Sequence, residues 1–213
     1  MVLFLQNQVM TDHFILEAFW QKGHNCAFIA FAKAGIMCYG VKGVMQISNG
    51  EREWCLKLRN NRKWKLNADL VEELNKTNHT GFRRMRTDKG RTEINTLKTL
   101  VKLFYAVIIT HMTKRGYMGR RYTKASAISA LNDEGIRTTY FHSLLGWKRT
   151  ASYYLEEKDL HSLKKKRHIL LFTEKHIVAA SKGYLDRYGK ATRMGGHLPY
   201  LLREKSGAWY SLR

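Results

Sequence analysis

The chain has 213 residues, of which 44% are hydrophobic, and carries 5 Trp, 11 Tyr and 9 Phe. That content is enough to bury a core and excludes a disordered chain. Lysine and arginine outnumber the acids 38 to 17, and the formal charge of +21 draws the protein to polyanions: nucleic acid, an acidic membrane surface or an acidic partner protein.

Three cysteines, Cys26, Cys38 and Cys55, form an odd set without CxxC spacing. This argues against a disulfide framework and against a thiolate zinc site, and makes reduced thiols in a cytoplasmic setting the expectation. The start, Met1 to Gln6, lacks the basic opening and long apolar run of a signal peptide. No transmembrane segment is expected: the most apolar run, read as Leu100 to Met112, is short and contains Lys102. No HExxH, GxxxxGK[ST] or GxGxxG pattern occurs, so neither metal nor cofactor is expected.

In chain order, residues 11–20 read as a short helix capped by Thr11 or Asp12. A polar stretch, Gln21-Lys22-Gly23-His24-Asn25, then runs into an Ala-rich helix over 26–39, with Asn25 as its expected cap and Cys26 at the junction. Residues 41–58 read as extended, with an Asn49-Gly50 turn, and a further strand contains Trp64 and Leu66. Asn67 is placed to cap a helix over 68–75. Residues 76–93 read as a basic loop, followed by a long helix from Thr92 to Thr113 and shorter ones at 125–132 and 140–145. The last third reads as strands: 167–172, 176–180 and one beginning at Tyr184, with another around Trp209-Tyr210. Turns are expected at Glu174-Lys175, at Ser181-Lys182-Gly183 and at Tyr188-Gly189. Helices first and antiparallel strands last define an α+β chain, organised as one domain over 1–213 with a mainly helical middle region at 60–150.

Cys26 is the residue of chemical interest. A thiol at a helix start lies near the unpaired N–H groups of the first turn, and these favour the thiolate. Gln21 sits on a loop able to fold back and donate its amide to a developing oxyanion. His176 opens a strand, and Asp186 lies on the next one. Counting back from a turn at 181–183 pairs residue 176 with about 187, which sets Asp186 within one position of His176. Nucleophile, base and orienting carboxylate are then all present. His24, on the loop, and His197, after Gly195-Gly196, are the competing bases.

The segment Gln21-Lys22-Gly23-His24-Asn25-Cys26-Ala27 resembles the start of the central helix in papain-like and calpain-like cysteine peptidases. Lys175 to Gly189 resembles the histidine hairpin of the same superfamily. The resemblance covers two pieces in the expected order. It departs from the papain pattern at Ala27, where papains have Trp, in a Gln-to-Cys spacing one residue shorter, and in lacking an Asn-Ser-Trp triplet. It implies a papain-like fold with Cys26 as nucleophile, His176 as general base, Asp186 as orienting residue and Gln21 as oxyanion donor with the Cys26 N–H. The implied substrate is a peptide or protein carrying an amide, isopeptide or thioester carbonyl. Two alternatives stand beside it. One is a non-catalytic nucleic-acid-binding protein using the basic clusters at 59–65, 83–91 and 164–167. The other is a papain-like fold that only binds partners.

Overall fold

The computed structural model describes residues 10–134, 138–150, 153–154, 159–172, 176–194 and 208–213. Helix α1, Asp12–Ala18, is capped as expected: the Thr11 hydroxyl accepts from the Phe14 N–H at 3.2 Å. Strand β1, Phe19–Gln21, leads through a short loop to α2, Cys26–Val44. Helix α2 is apolar all round and lies buried from Ala27 to Met37, as a helix without a polar face must. It breaks at Gly40, whose φ of 67° belongs to the left-handed region, so the expected end at residue 39 marks a kink and not the last turn.

The chain then forms a three-stranded antiparallel meander: β2, Met45–Asn49; β3, Glu53–Leu58; and β4, Lys63–Asn67. Helix α3, Ala68–Lys76, starts where Asn67 accepts from the N–H groups of Asp69 and Leu70 at 2.8 and 3.1 Å. The stretch 76–93, read above as loop, contains β5, Thr80–Phe82, paired antiparallel with β1. Three residues are too few to show a periodic pattern. Helix α4, Asp88–Arg115, begins earlier than expected because Thr87 caps it, its hydroxyl accepting from the Gly90 N–H at 3.2 Å. Helix α5, Lys124–Ser129, continues into a π-helical turn over Ala130–Glu134, and α6 runs Thr138–Leu145.

Strand β6, Tyr153–Tyr154, and helix α7, Asp159–Leu163, precede β7, Ile169–Phe172. Strands β8, Ile177–Ser181, β9, Tyr184–Arg187, β10, Lys190–Arg193, and β11, Ala208–Ser211, follow. They make one antiparallel sheet in the order β10-β9-β8-β7-β11-β6. Two hairpins are closed by two-residue turns with both central residues at positive φ. These are Lys182-Gly183 (49° and 82°) and Tyr188-Gly189 (51° and 80°), the twist that tight hairpins require. The expected Glu174-Lys175 turn lies outside the described residues.

Helix α2 crosses β8 and β7. Leu170 and Ala179 join α2, α4 and α6 in the main core, whereas Ile169, Leu171, Ala180 and Leu185 join Leu163, Met194 and Trp209 on the other face. The sheet is covered on both sides, and this explains why β7 reads as an unbroken apolar run. Mixed helix and antiparallel sheet is the α+β class expected, although the meander adds sheet to the first half of the chain. The most apolar long helix is not Leu100 to Met112 but Cys26–Val44, which among the described residues is the one helix long and apolar enough to cross a bilayer by length and composition. That window is 72% buried inside the fold, as befits a core helix.

His142 on α6 shows how the core sets a charge state. Its Nδ1 lies 3.2 Å from the Trp147 carbonyl, which can only accept, so Nδ1 carries the proton and donates. Nε2 then accepts from the Tyr210 hydroxyl at 2.8 Å. Burial, aided by Arg149 and opposed by the Trp147 bond, pushes the pKa from 6.5 down to about 4. Between those values the unfolded chain holds a proton that the folded chain does not. Stability is therefore full above pH 6.5 and falls toward pH 4, by about 3 kcal/mol from this group. Urea unfolding of His142→Gln, neutral at every pH, should show a loss between neutral pH and pH ~4 that is smaller by that amount. An unchanged pH profile would remove His142 as the cause.

Candidate active site

The loop between β1 and α2 is held by one backbone group. The His79 carbonyl accepts from the Lys22 N–H at 2.9 Å and from Asn25 Nδ2 at 3.1 Å. Gly23 packs on the same residue: a Cβ there would meet His79 Nδ1 at 2.9 Å. Asn25 is buried (1% exposed) but does not cap α2 with its side chain, contrary to expectation. Its amide is turned to His79 instead. The first turn of α2 thus has no side-chain cap, and Cys26 lies in it, among N–H groups that no side chain satisfies.

Cys26 is half-buried and, like Cys38 and Cys55, a free thiol. It opens into a cavity of about 310 Å³. It is lined by Gln21, Cys26 and Ile29, by His176 just before β8 and Ile177 and Val178 at its start, and by Leu185 to Tyr188 from β9 and its turn. Gln21, Cys26, His176 and Asp186 therefore meet in one pocket. The Tyr188 ring stands edge-on to His176, with centroids 6.2 Å apart and planes at 87°. The Gln21 side-chain oxygen is buried without a hydrogen-bond partner among the described residues. His24 is exposed on the loop. His197 lies outside the described residues.

The register of the β8–β9 hairpin differs from the one expected for Asp186. The β8–β9 ladder pairs Ser181 with Tyr184 and Ala180 with Leu185. Continued, it sets Asp186 across from Ala179, three residues past His176, or about 10 Å along a strand. The turn is two residues, Lys182-Gly183, and Ser181 belongs to the ladder. His176 precedes β8 and reaches the pocket from outside the ladder.

Asp186 is held by other groups. Its Oδ2 accepts from Lys33 Nζ at 2.7 Å and its Oδ1 from the Gly189 N–H at 2.8 Å. Lys33 was not among the residues singled out from the sequence. It is wholly buried (0% exposed) and also donates to the Leu16 carbonyl at 2.6 Å. Burial pushes its pKa down, while Asp186 and Glu17 pull it back up. Lys33 lies two turns along α2 from Cys26, on the same face and about 10 Å away. The signal was present: Lys33 is the one charged residue between Asn25 and Val41, and a lysine inside an apolar helix needs a buried acceptor.

Trp20 closes the arrangement. A Cβ on Gly189 would meet its ring at 2.8 Å and one on Gly81 at 2.4 Å, so the indole lies between the β9–β10 turn and β5. At the other end of the hairpin, the Ser181 hydroxyl donates to Asp12 Oδ2 at 2.8 Å, and Lys182 pairs with the same oxygen at 3.4 Å. Helices α1 and α2 and strand β1 are thereby fastened to the hairpin that forms the pocket's far wall. Among the described residues, no group of three or more His, Cys, Asp or Glu is placed to hold a metal ion. Comparison of the chain with protein-family models, with curated proteins and with solved structures finds no match.

Proposed function

We propose that this protein is a cysteine-dependent hydrolase or acyl transferase of papain-like design, acting on an amide, isopeptide or thioester carbonyl. The observation that carries the reading is the shared pocket of Gln21, Cys26, His176 and Asp186, drawn from both ends of the chain. Cys26, in the uncapped first turn of α2, is the nucleophile. His176 takes the thiol proton, and the sulfur attacks the carbonyl carbon. The Cys26 N–H and the Gln21 amide donate to the oxyanion. When the tetrahedral adduct collapses, the bond to the leaving group breaks and His176 returns the proton to it. Water or another acceptor, deprotonated by His176, then cleaves the thioester and restores the thiol. Asp186, held by Lys33 and the Gly189 N–H, lines the same pocket and supplies the carboxylate charge that steadies the imidazolium formed on His176. Ile29, Ile177, Val178 and Leu185 favour an apolar acyl group and exclude water from it.

The test is site-resolved alkylation with iodoacetamide across pH, read by peptide mass spectrometry. Cys26 should react at least about 10-fold faster than Cys55 at pH ~6, where an ordinary thiol is almost fully protonated. Cys38 should be slow, since burial pushes its thiol up. In His176→Ala the low-pH reactivity of Cys26 should fall to that of an ordinary thiol. Equal rates at Cys26 and Cys55, or a rate indifferent to His176, would overturn the proposal.

A further inference from the structure

A second site lies away from the Cys26 pocket, between β4 and the C-terminal end of α4. It is an open groove of about 600 Å³ lined by Arg62, Lys63, Trp64, His111, Lys114 and Arg115. Four of those six side chains are cations, and no carboxylate is among them. Other lysines differ: Lys65, Lys102 and Lys124 are paired with Glu53, Glu72 and Glu73. Among the described residues, Arg62, Lys63, Lys114 and Arg115 form no ion pair, so their charge is available to a ligand.

The remaining two residues are aromatic. Trp64 is half-buried in the groove, 5.9 Å from the His111 ring at 57°. Its indole N–H is buried without a partner among the described residues. His111 is fixed by the Tyr140 hydroxyl at 2.7 Å. Burial first, then Arg62 and Arg115, hold its pKa below the ordinary value.

Cations alone accept any polyanion. Cations around an indole fit a chain that alternates phosphates with flat bases. In a duplex the base faces are stacked on each other and out of reach of a side chain; in a single strand they are free. We propose that this groove binds single-stranded nucleic acid, with Trp64 as the stacking platform and Arg62, Lys63, Lys114 and Arg115 as the phosphate partners. The site is independent of the chemistry assigned to Cys26.

The test is fluorescence anisotropy of the full chain with labelled oligothymidylate of about 15 nucleotides. Four phosphate contacts on a single strand predict a log–log salt dependence with slope of about −3. Trp64→Leu should weaken binding roughly 10-fold and leave the slope unchanged, and Trp64→Phe should restore most of the loss. Arg62→Ala/Lys114→Ala should bring the slope to about half. Alanines at Lys164, Lys165 and Lys166, an exposed basic run elsewhere, should have little effect on affinity. Thermal melting checks that each variant is folded. Affinity indifferent to Trp64 and to the Arg62/Lys114 pair would overturn the proposal. So would heparin or a duplex of equal charge competing as well as the single strand.

Discussion

Replacing Lys33 with methionine is expected to destabilise the protein by about 3–5 kcal/mol. Methionine fills most of the lysine's volume, so the loss is not a cavity effect. It comes from the carboxylate left behind. Asp186 is itself buried (7% exposed), and Oδ2 would lose a charged donor at 2.7 Å, with the Leu16 carbonyl losing its own at 2.6 Å. Removing one member of a buried pair costs far more than removing both. The double variant Lys33→Met/Asp186→Asn should therefore recover much of the stability, since Asn Oδ1 still accepts from the Gly189 N–H. Urea unfolding of the two singles and the double gives the coupling directly. A Lys33→Met cost below about 1 kcal/mol would mean that the pair is not what joins α2 to β9. The same variants bear on the Cys26 pocket. If Asp186 orients His176, Asp186→Asn should lower the alkylation rate of Cys26 at low pH even where the fold persists.

The second large effect is expected at Gly35. Alanine is the better helix former by about 1 kcal/mol, and on propensity alone Gly35→Ala would stabilise α2. The tertiary contact reverses the sign. A Cβ there would lie 2.0 Å from Trp147 Cη2 and 2.1 Å from Cζ3. Trp147 is buried (3% exposed) and has nowhere to retreat: it stacks on Phe31 at 4.5 Å and meets Phe104 edge-on at 5.6 Å. Gly35→Ala should cost at least about 3 kcal/mol, at the upper end of what overpacking does. Trp147→Leu, destabilising by itself, should make the alanine tolerable, so the double variant should lie well above the sum of the singles. A shift of the urea midpoint in line with propensity would show that the ring yields instead.

Helix α2 is where sequence and structure are most closely joined. Its unbroken apolar composition marks it as central, and the position of Cys26 at its first turn was legible from the residues around it. The role of Asn25 was not. Capping potential depends on residue type, but whether the side chain caps depends on what else is within reach, and here the His79 carbonyl competes for it. The same limit applies to Asp186. Its place on the hairpin that follows His176 was legible from the turn residues, but the register was not: the ladder sets Asp186 across from Ala179 and not within one position of His176. The partner that holds its carboxylate, 153 residues away, could not be read from the hairpin at all.

What the sequence determined by itself is local. Thr11 and Asn67 cap the helices they precede, Lys182-Gly183 and Tyr188-Gly189 turn the hairpins, and alternating or continuous apolar runs become helix and strand. Each of these is decided within a few residues, by side chains bonding nearby backbone and by the φ values those residues tolerate. What the tertiary structure decided are the pairings across the chain: β1 with β5, Lys33 with Asp186, Cys26 with His176 across one cavity, and Trp64 with the cations of α4. No short pattern encodes these. The Lys33–Asp186 pairing arises because α2 is buried and Lys33, the one charged residue in its buried stretch, must find an acceptor: an unpaired charge in that core costs more than the fold can spare.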